Sequence, residues 1–138
     1  TVLKESKNLK IKNWNRKVMT LHEGLQLMPA KVSANILHNI QTALMEGVTI
    51  AAEYTSKNKA LPSKYILHPG GLVYRGRITY LVGSFDNDYQ KIIYLPLHRF
   101  KNIELLHALS IHRNKNIKEL TKNLLGFKVN EKKIKKTK

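Results

Sequence analysis

Leu67-His68-Pro69-Gly70-Gly71-Leu72-Val73-Tyr74-Arg75-Gly76-Arg77-Ile78-Thr79-Tyr80-Leu81-Val82 is the stretch whose reading decides the fold. A strand from about Lys64 to His68 runs into it. Proline donates nothing to a ladder and two adjacent glycines permit a sharp bend. The strand is therefore expected to bulge at Pro69-Gly70-Gly71 and to resume through Leu72, Val73 and Tyr74. Arg75-Gly76-Arg77 reads as a tight hairpin turn with glycine at its centre, and Ile78 to Phe85 as the returning strand.

Upstream, Val48, Ile50, Ala52 and Tyr54 alternate with Thr49, Ala51, Glu53 and Thr55, the period of a half-buried strand. Before it, Val32, Ile36, Leu37, Ile40, Ala43 and Leu44 recur at helical spacing over residues 31–46. Pro29 sits near that helix's start and Gly47 just past its end, where each is tolerated best. Residues 1–24 are polar and basic and read as a lead-in segment anchored by Trp14. Downstream, Asp86-Asn87-Asp88 makes a turn, a strand covers about Gln90 to Leu95 and ends at Pro96, and another runs from about Lys101 to Leu106. Helical spacing returns at Ile117, Leu120, Leu124 and Leu125, with Gly126 as a stop. The expected fold is mainly β with flanking helices. Five short strands form a meander that closes into a small barrel and so removes its edges, with the helix packed on one mouth or face. We expect a lead-in over residues 1–30, a helix-plus-barrel domain over 31–108, and the start of a C-terminal extension over 109–138. The opening residue is Thr1, which leads us to expect a piece of a longer protein, although processing gives the same start.

Composition narrows the function classes. In 138 residues there are 25 Lys+Arg against 9 Asp+Glu, a net charge of +16, and no cysteine. Disulfides, cysteine-ligated zinc, iron–sulfur clusters and thiol catalysis are excluded. No apolar run approaches the roughly 20 residues of a membrane helix, so a cytoplasmic protein without membrane contact is expected. Such charge favours polyanion partners. It is uneven, however: residues 109–138 hold ten basic and two acidic side chains, half of the excess. The lysine run at 132–138 reads as a solvated tail.

The sequence holds no P-loop, nucleophile elbow, H-E-x-x-H or dinucleotide fingerprint, and an enzyme is not expected. Six histidines show no metal spacing, and Asp86 and Asp88 read as turn formers, so neither metal nor cofactor is expected. The informative set is aromatic and basic: Tyr54, His68, Tyr74, Arg75, Arg77, Tyr80, Tyr94, His98 and Arg99, with Tyr65 beside them. Arginine offers phosphate a planar fork, and tyrosine offers a stacking face with a polar tip. A barrel mouth lined by both suits nucleotides or single-stranded nucleic acid. Taken singly, each tyrosine fills a strand position it favours.

The quoted stretch resembles the WYL domain family, named for a Trp-Tyr-Leu triplet. The resemblance continues through Ile93-Tyr94-Leu95-Pro96-Leu97-His98-Arg99-Phe100, and backwards through Ile50 to Tyr54, Ala43-Leu44 and Gly24 to Pro29, covering about residues 22–107. The triplet's tryptophan is replaced by Thr79, leaving Tyr80 and Leu81, and by alternation Thr79 faces opposite to Tyr80. His98 stands where the family often has an acid, which makes the neighbourhood of Arg99 more basic and, through imidazole titration, binding pH-sensitive. The resemblance implies an Sm-like barrel related to SH3 barrels. It also implies an effector-sensing role in bacterial transcriptional regulators, with a winged-helix DNA reader that this chain lacks. Carried over to matching positions, it puts the ligand on Tyr80, Arg99 and His98. Arg75 and Arg77 supply supporting charge, and Tyr54, His68 and Tyr94 lie nearby. The implied partner is single-stranded DNA or RNA, or a nucleotide effector. Two other readings stand beside it: a general basic RNA- or DNA-binding barrel, and a module that pairs two copies or binds another protein.

Overall fold

Helix α1 (Ala34–Glu46) stops where the sequence puts its stop: Gly47 takes a left-handed φ of 69° and its N–H caps the Ala43 carbonyl at 2.8 Å. Its apolar stripe buries Ile36, Ile40, Ala43 and Leu44, and each large aliphatic residue so buried contributes about 1.5–3 kcal/mol. The computed structural model describes residues 10–21 and 31–122. Pro29, the Gly24–Pro29 segment, the helical continuation at Leu124 to Gly126 and the lysine tail fall outside them.

Six strands make one sheet: β1 (Val18–Leu21), β2 (Val48–Tyr54), β3 (Ser63–Arg75), β4 (Ile78–Phe85), β5 (Asp88–Pro96) and β6 (Phe100–Leu109). A short 3-10 turn, Leu97–Arg99, joins β5 to β6, and a one-turn helix α2 (Ile117–Leu120) follows. The helix-to-strand switch at Gly47, the β3–β4 hairpin and the strand of residues 78–85 agree with the sequence reading. Gly76, at φ 59°, occupies the first of the two turn positions between the paired residues Arg75 and Ile78.

The strand count and the closure do not agree. The sheet order is β5-β4-β3-β2-β6, with β1 paired in parallel to β3, so there are six strands and not five. The expected closed barrel is an open sheet: β5 and β6 stand at its two ends, and no ladder joins them among the described residues. The 3-10 turn breaks the meander there. Beyond it β6 crosses to pair antiparallel with β2, Ile50 opposite Leu105 and Tyr54 opposite Phe100. The sixth strand exists because β3 outruns β2. β2 covers β3 only from Ser63 to Leu67, and β1 takes the edge from Leu72 to Arg75. Nothing in Val18-Met19-Thr20-Leu21 alternates, so β1 is legible only once that edge is vacant.

The change of partner happens at the expected bulge, where the β3–β4 register shifts between Pro69 and Gly71. Both glycines there keep ordinary φ values, and their need is space. A Cβ on Gly71 would stand 2.6 Å from the Lys17 carbonyl oxygen and 2.5 Å from the Ile117 side chain. The sheet carries a core on each face. Leu72 and Leu81 join the α1 residues, Ile50, Leu67 and Ile103 in the larger one, against which Trp14 packs as expected. Val73 and Val82 form the smaller one with Ile117 and Leu120.

The segment after β6 is clasped to the sheet by polar groups. Lys17 is buried, and its ammonium donates to the carbonyls of His112, Arg113 and Lys115, each at 3.1 Å, using all three N–H bonds. Burial pulls its pKa below the ordinary lysine value; Arg16 adds to the effect and Glu119 opposes it. The Ile117 N–H donates to the Arg16 carbonyl at 2.7 Å. Ser110 Oγ donates to the Pro69 carbonyl at 2.8 Å, at the bulge itself. The Ser84 hydroxyl points at the β5 carbonyls of Tyr89 and Lys91, 3.1 and 2.9 Å away. Its single proton is thereby committed, so the 2.8 Å contact to His112 uses the imidazole Nε2–H. Nδ1 of His112 then carries a lone pair, buried without a partner. A proton there has nothing to bond. Burial first, then Lys115, His68 and Lys17, push the pKa of His112 down to about 4.

Two outcomes follow from the clasp. Lys17→Met leaves three carbonyls without their donor and is expected to lower stability by about 3 kcal/mol in urea unfolding, with faster amide exchange over residues 111–116. Separately, an unfolded chain takes up a proton on His112 near pH 6.5, whereas the folded chain resists until about pH 4. Stability is therefore expected to fall as pH drops through that window, by about 3 kcal/mol in total, and to level off below it. Denaturation midpoints measured across pH 7 to 4 check this, and His112→Gln should flatten the slope.

Candidate ligand site

Arg99 is set by its neighbours in sequence. Leu97, at the start of the 3-10 turn, and Phe100, at the start of β6, are both buried, so the turn between them is pinned at two points. The Thr55 N–H donates to the Arg99 carbonyl at 3.1 Å and ties the turn to the end of β2. Its guanidinium is half-exposed and makes no hydrogen bond or ion pair among the described residues. His98 beside it is exposed.

Tyr54 is the inner neighbour. It is buried, its ring meets Phe100 edge-on at 4.9 Å and Tyr65 at 6.5 Å, and Tyr65 in turn meets Phe85 at 5.3 Å. This row of rings crosses β6, β2, β3 and β4 and belongs to the larger core. Burial raises the pKa of the Tyr54 hydroxyl, Arg99 lowers it, and Tyr65 and Tyr80 raise it. Arg99 and Tyr80 are thus both within electrostatic reach of that one hydroxyl. Tyr80, on β4, is half-buried and pairs with Pro96, the residue before the 3-10 turn. The hairpin tip carrying Arg75 and Arg77 lies at the same end of β4. Arg77 is exposed and Arg75 half-buried.

Of the eight residues that the resemblance puts at or near the ligand, Tyr54, Tyr80 and Arg99 are linked through the Tyr54 hydroxyl and His98 adjoins Arg99, whereas Arg75 and Arg77 stand at the β3–β4 tip, at the far end of β3 from the Ser63 that pairs with Tyr54. The other two sit elsewhere. His68 is buried at the bulge, where Nδ1 accepts the Ile111 N–H at 3.1 Å and Nε2 contacts Asp86 at 2.7 Å. An accepting Nδ1 fixes the proton on Nε2, so His68 donates to Asp86 as a neutral ring. This bond, more than any other contact, holds the Asp86 carboxyl below its ordinary pKa. Tyr94 packs on the smaller core; its hydroxyl is buried without a partner, and burial raises its pKa.

Sequence reasoning did not find Lys17, Ser84 and His112, which are brought together with the C-terminal segment by contacts 28 to 98 residues apart. No local signal marks them. Among the described residues no three His, Asp or Glu side chains group as metal ligands, and no helix is long and apolar enough to cross a membrane.

Comparison with known proteins agrees with this architecture. Proteasome accessory factor B/C (PafBC) of Arthrobacter aurescens superposes with a TM-score of 0.51 at 15% sequence identity, over 61% of this chain and 14% of that one. At that identity the likeness concerns the fold, and the chain spans about one seventh of the PafBC chain. No curated protein matches the sequence. The family model described as the WYL domain matches residues 35–105, from the second residue of α1 into β6, and so takes in the whole β2–β5 sheet, the pinned Arg99 turn and its tyrosines. The chain belongs to the WYL domain family.

Proposed function

We propose that this chain is the effector-sensing domain of a bacterial transcriptional regulator, and that its effector is a single-stranded nucleic acid or a nucleotide-like molecule bound at the Arg99 end of the sheet. The supporting observation is a guanidinium held on a turn anchored by Leu97 and Phe100, beside tyrosine hydroxyls and without an acidic partner among the described residues. An arginine so placed presents its fork to a phosphate without first breaking an ion pair. Tyr80 offers a ring for stacking and a hydroxyl for hydrogen bonding, while His98, Arg77 and Arg75 add positive charge around the phosphate. Tyr54 supports the arginine from within the core. The role is binding, and the protein works in the cytoplasm as part of a larger regulator that carries the DNA reader.

A second reading rests on the charge: half of the +16 lies in residues 109–138, so the tail alone could hold a polyanion without any site.

Two measurements separate the readings. Arg99→Ala is expected to weaken binding of a fluorescein-labelled short single-stranded DNA by about 1–3 kcal/mol, the worth of a charge-assisted hydrogen bond. Fluorescence anisotropy showing equal affinity for the wild type and Arg99→Ala would sink the site. Deleting residues 128–138, which removes six lysines, is expected to flatten the dependence of affinity on salt while leaving most of the binding at 150 mM salt. Loss of nearly all binding on deletion would favour the tail.

A further inference from the structure

We propose that the hollow between β5 and the C-terminal segment is a second ligand site, distinct from the Arg99 end, for a small organic anion with an apolar body. The hollow has a volume of about 480 Å³, within the usual range for small-molecule sites. Ile92 of β5, Ile111 of the turn and Leu120 of α2 contribute its apolar wall. Lys115 and Lys122 stand at its rim, both exposed. The rim also holds Glu119, whose carboxylate is already engaged: it accepts the Asn116 N–H in the capping box that starts α2. Neither lysine has a carboxylate within 4 Å among the described residues. With two lysines against one carboxylate the rim is net positive, and over an apolar wall it matches a molecule that is apolar in the middle and negative at one end.

His112 lines the hollow, is wholly buried, and carries one of the two buried side-chain polar atoms that lack a partner among the described residues. With its Nε2–H given to Ser84, the unmet need is for a donor at Nδ1. That atom has no accessible surface, so the ring serves the hollow as a closed, neutral part of its wall and adds no charge of its own. The chemical class is therefore an aromatic or aliphatic acid. Its binding would join the exposed edge of β5 to the segment that Lys17 and His68 clasp.

The probe is 8-anilinonaphthalene-1-sulfonate, which has apolar rings, one N–H and one sulfonate, titrated into the full chain at pH 7. Fluorescence should show one saturable site. Amide NMR shifts should centre on Ile92, Ile111, Lys115 and Leu120. Lys115→Glu and Lys122→Glu, both surface changes whose folding a thermal melt verifies, should each weaken binding about tenfold. Arg99→Ala should leave it unchanged, so failure here and failure of the Arg99 site are separate results. The proposal is overturned by non-saturable binding with shifts spread over both cores, by shifts centred on Trp14 and Met45, or by affinity indifferent to both lysine changes.

Discussion

Between Pro69 and Gly71 strand β3 changes partners, and most of the molecule is arranged around that change. On one edge β3 stays with β4 from Leu67 to Arg75, broken only by the register shift. On the other it is covered by β2 up to Leu67 and by β1 from Leu72. Proline at 69 has no N–H to leave unpaired at the gap, and its carbonyl is taken by Ser110. The first N–H beyond the gap, that of Leu72, donates to the Lys17 carbonyl at 2.7 Å. The absence of side chains at 70 and 71 lets Ile117, Leu120 and the Lys17 backbone close over the bend. A bulkier residue there would push apart the lead-in, the sheet and the C-terminal segment at once.

That arrangement divides the labour between the two faces. The larger core takes α1 and a row of aromatic rings, and it anchors the turn that presents Arg99. The smaller core takes α2 and is sealed by polar bonds to backbone carbonyls and by a neutral histidine–serine pair. The basic character of the chain is expressed differently at each place. At the turn after β5, Arg99 stands beside the Tyr54 hydroxyl. In the clasp, Lys17 spends its charge wholly on internal carbonyls and is unavailable to any ligand. Net charge therefore says little about where an anion binds, because a buried ammonium and an exposed guanidinium count equally in the sum.

Legibility tracked the range of the interactions. Helix α1, its glycine cap, the β3–β4 hairpin and the bulge are local events, governed by periodicity and by the stereochemistry of single residues, and all were readable. Strand β1 was not: four residues without alternation became a strand through a vacant edge more than fifty positions away. Closure was misjudged because a meander pattern does not reveal that the Leu97–Arg99 turn redirects the chain to β2. At the candidate site, that Arg99 follows β5 and that Arg75 and Arg77 flank the β3–β4 turn were readable from strand order. That His68 is a structural lock was not, since its partners Asp86 and Ile111 are 18 and 43 residues away.

By itself, then, the sequence determined helix α1, strands β2 to β6 and where the long strand must bend. Short-range sterics and hydrophobic period suffice for these. Only the tertiary structure decided that the sheet is open and six-stranded. It alone buried Lys17 against three carbonyls and left His112 neutral with an idle nitrogen. These outcomes depend on which distant groups share a low-dielectric interior, where an unmet hydrogen bond or an added proton is costly, and no local pattern encodes that proximity.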